Sequence, residues 1–283
     1  MLKESELKEK LMAAAYNLYH PLPEDDLPSL VAAMLHYIGT TDSILRDDLI
    51  YSNFNQWILK FNLLSTAQLR ELALKAISDE HIFYQIGEVE SDGVFTRSFS
   101  MLLLPLILIS YRNQPFLSPS EVSQIKDSLL RYGREEKDFR GFVRGKGWAH
   151  AVAHYADALD DLAQAVELDA PDLQEILAIV ALLVCRQDEA YGCGEEERLS
   201  TAVLAVLHRG LLSNAELEQW IHDFTDKVLD STEHPSKLIL RSNVKDFLQS
   251  LFFRIKWELP DHTLLPLIDQ ALLAINPYAN RID

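Results

Sequence analysis

The stretch SPSEVSQIKDSLLRYG, residues 118–133, decides the fold class of this chain. It begins with a capping box, in which an N-cap serine, Ser118, is followed by a proline at the first helical position and by Glu121 three residues after the cap. Apolar residues then recur at helical spacing, at Val122, Ile125 and Leu129. The pattern predicts an amphipathic helix that ends at Gly133.

Similar helix signals recur on both sides of this stretch. Ser65 and Gln68 form a second capping box, and Asp169 and Ser213 are N-cap residues ahead of further apolar stripes. Two more helices are predicted over residues 236–257 and 264–275, and only residues 81–94 suggest an extended segment. The sequence therefore predicts an all-α protein of roughly a dozen helices joined by short connections.

Composition is consistent with a folded helical protein. The chain has 283 residues, of which 48% are apolar and 24% charged, and it contains only 10 glycines. These values exclude wholesale disorder and a collagen-like fibre. Short connections favour an irregular α-α superhelix of stacked, HEAT-like helical hairpins, with a compact multi-helix bundle as the alternative. Because no linker divides the sequence, we expect one domain over residues 1–283, with 1–90 as a semi-separate helical layer.

Charge and cysteine content limit the expected partners. With 26 Lys and Arg against 43 Asp and Glu, the net charge is −17. Such a chain is repelled by nucleic acids and anionic membranes, so a ligand is expected to be cationic or neutral unless the arginines concentrate locally. Two cysteines, Cys185 and Cys193, exclude a disulfide framework and a thiolate zinc site. With neither a signal peptide nor an apolar run near the roughly 20 residues of a membrane span, the expected location is the cytoplasm.

One candidate site lies in residues 146–166, KGWAHAVAHYADALDDLAQAV. At 100° per residue, His150, His154, Asp157 and Asp161 fall in a stripe about 60° wide on a helix. The opposite arc is apolar and predicts the buried face, formed by Val152, Tyr155, Ala156, Leu159, Leu162, Ala163 and Val166.

Three interpretations of this stripe compete. In the first, the stripe is the solvated face of the helix. In the second, His150 and His154 hold a divalent metal, although the glutamate of an HExxH motif is missing and a third ligand is unassigned. In the third, the stripe is a buried polar network that lines a cleft. The candidate cationic partners of its carboxylates are Arg97, Arg140, Arg144, Lys146 and Arg198. Of these, we expect Arg97 to pair with Asp157 or Asp161.

These interpretations lead to three functional hypotheses. The first is binding of a small ligand or peptide in a polar cleft on the 150–161 helix, with His150, His154, Asp157, Asp161, Arg97, Arg140 and Trp148 as candidate residues. The second is a metal-assisted or acid–base hydrolase that uses His150 and His154, and the third is a protein-interaction scaffold. Whether the chain is an enzyme stays open, since the sequence has no Gly-x-Ser-x-Gly elbow, Walker A loop, dinucleotide fingerprint or kinase signature.

The motif Gly147-Trp148-Ala149-His150-Ala151-Val152-Ala153-His154, followed by Asp157, resembles the signature of an uncharacterised bacterial family, domain of unknown function 2785. Further similar pieces are residues 94–100, Asp138-x-Arg140-Gly141, Glu197-Arg198-Leu199 and residues 243–251. The resemblance extends from about residue 90 to 255, and it implies that 91–255 is the family-like core of the domain. It implies an all-helical bacterial protein, and it assigns no activity, ligand or catalytic residue.

Overall fold

A computed structural model describes residues 2–279 and confirms the all-α prediction. Within this range the chain forms twelve α-helices, two short π-helical segments and one small antiparallel hairpin. Contacts divide the chain into two compact units, residues 1–165 and 166–283. The single-domain organisation, the layer at residues 1–90 and the superhelical arrangement stay predictions.

The first unit contains the candidate site. Its elements are α1 (Glu4–Tyr16), α2 (Leu27–His36), a π-helical segment (Ile44–Tyr51), α3 (Ser52–Asn55), a second π-helical segment (Gln56–Lys60), α4 (Thr66–Ala76), α5 (Gly93–Asn113), α6 (Pro119–Glu135), β1 (Phe142–Val143), β2 (Gly147–Trp148) and α7 (Ala151–Ala163).

Between residues 166 and 279 the second unit contains five helices. They are α8 (Ala170–Val184), α9 (Glu195–Arg209), α10 (Asn214–Asp230), α11 (Ser236–Glu258) and α12 (Leu264–Ile275).

The predicted helix starts are confirmed. Ser118, Ser65, Asp169 and Ser213 each form a capping box at the start of α6, α4, α8 and α10. The predicted end of α6 at Gly133 is wrong, because the helix continues to Glu135 and closes where the Glu136 N–H donates to Tyr132 O.

Helix α5 forms the core of the first unit and packs most extensively against α7. Its 21 residues, with a mean hydropathy of 1.7 over the most apolar window, are long and apolar enough to cross a membrane by length and composition, although the sequence suggested only a short apolar run. Of that window, 83% is buried inside the structure, as in the core helix of a soluble protein. Pro105 lies within the helix, so its missing N–H leaves the carbonyl one turn earlier without its helical donor.

The prediction of an extended segment at residues 81–94 is wrong. Residues 81–87 form turns, and α5 begins at Gly93. Because the Arg97 side chain donates to the carbonyls of Tyr84, Gln85 and Glu88, this segment curves around a guanidinium and does not pair as a strand.

Candidate functional site

The polar stripe of α7 faces the protein interior. His154 is 8% exposed and Asp161 is 7% exposed, while Asp157 is half-buried. The solvated-face interpretation is therefore wrong, because α5 covers this side of α7. The predicted apolar arc is buried from Val152 to Ala163, but Val166 lies beyond the helix end and is exposed.

The 100° spacing placed His150 on α7, but His150 lies outside this helix. It is the N-cap residue, in the left-handed conformation with φ 47° and ψ 36°, and its carbonyl accepts the first helical hydrogen bond from the His154 N–H. The backbone N–H groups of Ala149 and His150 both donate to Gly141 O, at 2.8 and 3.2 Å. These bonds tie residues 149–150 to the start of the hairpin, and the helix begins one residue later.

Five rings form what we call the aromatic ladder, a chain of ring contacts that leads from the surface into the core. Phe142 contacts Trp148 edge-to-face, and Trp148 stacks on His150 with a centroid distance of 4.1 Å and an interplanar angle of 7°. His150 lies 5.7 Å from His154, which contacts Phe99 edge-on at 4.9 Å. Exposure falls along the ladder from 57% at Phe142 and 40% at Trp148 to 4% at Phe99.

The inner end of the ladder is held by one backbone contact. A ring nitrogen of His154, Nδ1, lies 3.2 Å from Ser98 O on α5. Since a carbonyl oxygen only accepts, the Nδ1–H tautomer is the one that satisfies this pair. The His154 ring is thus oriented by α5, and its plane is tilted by 49° to that of His150.

Arg46, from the first π-helical segment, binds the backbone of the hairpin. Its fully buried guanidinium donates to Thr40 O, Lys146 O and Trp148 O, at 2.7, 2.9 and 3.2 Å. It also lies 4.3 and 4.7 Å from the ring centroids of Phe95 and Phe99, within cation–π range. Burial lowers the pKa of Arg46 and the neighbouring Asp47 carboxylate opposes this shift. Arg46 therefore connects the hairpin backbone to α5.

Arg97 is not a partner of the α7 carboxylates, so the expected pair with Asp157 or Asp161 is wrong. Its guanidinium forms a two-pronged ion pair with Glu136, the C-cap residue just after α6, at 2.5 and 2.9 Å, and both side chains are fully buried. Both groups lie at the junction of α5, α6 and the 84–88 turns, so the pair fixes the start of α5 rather than the polar face of α7.

The cation that pairs with Asp161 is Arg112, at the C-terminal end of α5. It donates to the Asp161 carboxylate at 2.5 Å and to Asp161 O at 2.8 Å. Burial raises the pKa of Asp161, and Arg112 opposes this shift. Burial and the neighbouring Asp161 charge raise the pKa of Asp160 to about 6. The far end of the stripe is therefore an acidic cluster with one paired cation.

The hairpin cations have different environments. Arg140 donates to the Asp138 carboxylate at 2.7 and 2.6 Å and to Ser91 O, and Lys146 pairs with Asp92 at 2.6 Å. Arg144 is exposed at the hairpin tip and has no ion pair or hydrogen bond with any described residue. Arg140, a candidate ligand residue, thus connects the segment before β1 to the segment before α5.

The described structure gives the two-histidine metal hypothesis no third ligand. Among residues 2–279, no group of three or more His, Cys, Asp and Glu side chains is arranged to hold a metal ion. The metal role of His150 and His154 stays a prediction. Three cavities of 470, 560 and 700 Å³ are lined by residues of the second unit, so none of these three is the polar cleft expected at residues 150–161.

The residues that sequence reasoning missed are Arg46, Phe142 and Arg112. A partial signal for the hairpin was present, because glycines directly precede Phe142 and Trp148 and a third glycine, Gly145, lies between them. No local pattern indicates that Arg46 contacts backbone about a hundred residues later in the chain.

Comparison with known proteins identifies a family. No curated protein and no solved structure matches the chain. The family model described as "Protein of unknown function (DUF2785)" matches residues 82–253, which includes α5, the hairpin, α7 and the whole aromatic ladder. This match confirms the resemblance inferred from the Trp-Ala-His motif, and the chain belongs to the DUF2785 family.

Proposed function

We propose that this protein binds a small ligand or a peptide on the surface formed by Phe142, Trp148 and His150, which we call the platform. One observation carries the proposal: Phe142 and Trp148 keep 57% and 40% of their surface exposed on a hairpin that a fully buried arginine, Arg46, holds in place. Exposed aromatic residues on a fixed backbone offer a large apolar contact with little loss of conformational entropy on binding.

The backbone at His150 supports the same conclusion. A non-glycine residue at φ 47° costs free energy, and such conformations cluster at binding and catalytic sites. Here the conformation brings the imidazole flat against the indole, so the platform is formed before any ligand arrives. We further propose that the protein acts in the cytoplasm. The hydrolase and scaffold alternatives stay predictions.

Indole N–H resonances of the ¹⁵N-tryptophan-labelled protein test the proposal. Neutral planar probes, indole-3-acetamide and N-acetyltyrosinamide, are titrated to millimolar concentration, and we expect saturable shifts of the Trp148 signal. Trp257, which is 71% exposed but belongs to the second unit, is the internal control for non-specific contact. The Trp148→Ala variant, in which the remaining signals should not respond, assigns the site. Equal responses of Trp148 and Trp257, or none at Trp148, would contradict platform binding.

A further inference from the structure

We propose that the ligand of the platform joins a planar aromatic ring to an anionic group, with the ring on Phe142 and Trp148 and the anion at Arg144. This inference rests on the proposed function and names the ligand class of the same site. It departs from the expectation, drawn from the net charge of −17, that a ligand is cationic or neutral. The hairpin, in contrast to the acidic chain as a whole, carries an exposed cation.

The hairpin geometry places the Phe142 and Trp148 side chains together and the Arg144 backbone close to them. Phe142 and Trp148 are paired across the β1–β2 ladder, and cross-strand partners project from the same face of a hairpin. The turn after β1 is closed by the Lys146 N–H donating to Val143 O at 3.0 Å, with Gly145 at φ +82°, as the third position of a type II turn requires. Arg144 therefore occupies the second position of the turn, two residues beyond Phe142.

This spacing lets a guanidinium reach a group attached to a ring on the platform. Two residues of extended chain span about 7 Å, comparable to the length of an arginine side chain. An aromatic ring stacked against Phe142 and Trp148 would thus have its substituent within reach of Arg144. A guanidinium at that distance suits a carboxylate or phosphate, which it binds through two parallel N–H donors.

The charges around the hairpin favour Arg144 as the anion contact. Arg140 and Lys146 are already neutralised by Asp138 and Asp92. Arg144 is exposed and pairs with no described residue, so its charge is available to a ligand without breaking an existing ion pair. The chain has a large acidic excess, yet it leaves this arginine unpaired near two exposed aromatic rings. The hairpin therefore presents a cation and an apolar surface together.

Three probes with the same ring test this inference: indole-3-acetate, indole-3-acetamide and tryptamine, which are anionic, neutral and cationic at pH 7. Dissociation constants come from the Trp148 indole shift in 50 mM salt. We expect indole-3-acetate to bind about two- to fivefold more tightly than the amide, as for one exposed ion pair, and tryptamine to bind most weakly. The preference should disappear at 0.5 M salt because exposed charges are screened.

Two variants with the same change in net charge assign the preference. Arg144→Gln should remove the preference by lowering the affinity for indole-3-acetate to that for the amide, whereas Lys137→Gln, which neutralises an exposed cation before the hairpin, should retain the preference. Equal binding of the three probes, or tightest binding of tryptamine, would overturn the anionic ligand class and leave platform binding intact. Equal losses in both variants would overturn the role of Arg144. If no probe shifts Trp148, platform binding itself fails, and the ligand class with it.

Discussion

The Trp148 indole lies flat on the His150 imidazole, with 4.1 Å between ring centroids and 7° between planes, where Trp148 ends β2 and His150 caps α7. The stack depends on the backbone of the intervening turn, because Gly141 O accepts from both Ala149 and His150 and Arg46 binds Trp148 O. Trp148 therefore links the hairpin to the start of α7. Changes to the hairpin backbone should alter the platform without touching either ring.

Gly147→Ala should open the platform. Gly147 has φ +84°, and a Cβ there would lie 2.7 Å from Ser43 Cβ and 3.0 Å from the Arg46 guanidinium, so the hairpin would have to move away from the π-helical segment. We expect a loss of about 2–4 kcal/mol in the free energy of unfolding, from combined backbone strain and overpacking. Urea denaturation and the Trp148 indole shift measure the effect.

Gly145→Ala is the matched control for this clash. Gly145 has φ +82°, and no atom lies within 4 Å of its added Cβ. Only the backbone term remains, about 1–2 kcal/mol, and the Trp148 resonance should keep its position. A Gly145→Ala variant as destabilised as Gly147→Ala would show that the contact with Ser43 and Arg46 is unimportant.

Arg97→Met should strongly destabilise the first unit. It leaves the Glu136 carboxylate buried without its cation, at a cost of about 3–5 kcal/mol. The double variant Arg97→Met/Glu136→Gln removes both charges and should recover part of that loss, because the remaining amide oxygen still accepts from the N–H groups of Lys137 and Asp138. A double variant whose destabilisation equals the sum of the two single variants would contradict coupling of this pair. The measurement is a double-mutant cycle in urea.

Asp160→Asn should stabilise the protein at neutral pH. Since the pKa of Asp160 is raised from 3.8 to about 6, the folded state keeps a proton between pH 4 and 6 that the unfolded state has lost. The free energy of unfolding therefore falls as pH rises through this window. Asparagine removes the dependence, and we expect a gain of about 1 kcal/mol at pH 7, reduced from the full shift because solvent partly screens the half-buried carboxylate.

Unfolding in urea at pH 4 and pH 7 checks this expectation. Wild type and Asp160→Asn should have similar stability at pH 4 and differ at pH 7. Asp48→Asn, at an exposed position of the same unit, is the control for the loss of one carboxylate. If Asp160→Asn lost stability at pH 7, the carboxylate would be favourable in its charged form and the raised pKa would be wrong.

His154→Ala and His150→Ala should differ in their effect on stability. His154 is buried, contacts Ser98 O and Phe99, and its truncation leaves a cavity and removes the hydrogen bond to Ser98 O, so we expect a loss of about 2–4 kcal/mol. His150 is half-buried on the platform, and its truncation should cost about 1 kcal/mol. Thermal unfolding of both variants measures the difference, and a larger loss at His150 would reverse the assignment of core and surface roles.

Helix positions were readable from the sequence because their signals are local. A serine or aspartate N-cap and its partner three residues later contact each other within one turn, as Ser118 and Glu121 do. The family expected from the Trp-Ala-His motif is also the one whose model matches residues 82–253. Apolar spacing also predicted correctly that Val152 and Tyr155 are buried.

Tertiary structure alone decided what the polar residues of that region do. Helical spacing placed His150 on α7, but two bonds to Gly141 O hold it outside the helix. Arg97 was expected to pair with Asp157 or Asp161, but it pairs with Glu136, and Asp161 pairs with Arg112. Each outcome depends on which charges are desolvated together when distant segments pack, and one-dimensional spacing carries no information about that. The sequence therefore determined the helices and their buried faces, while packing determined the ion pairs and the exposed platform.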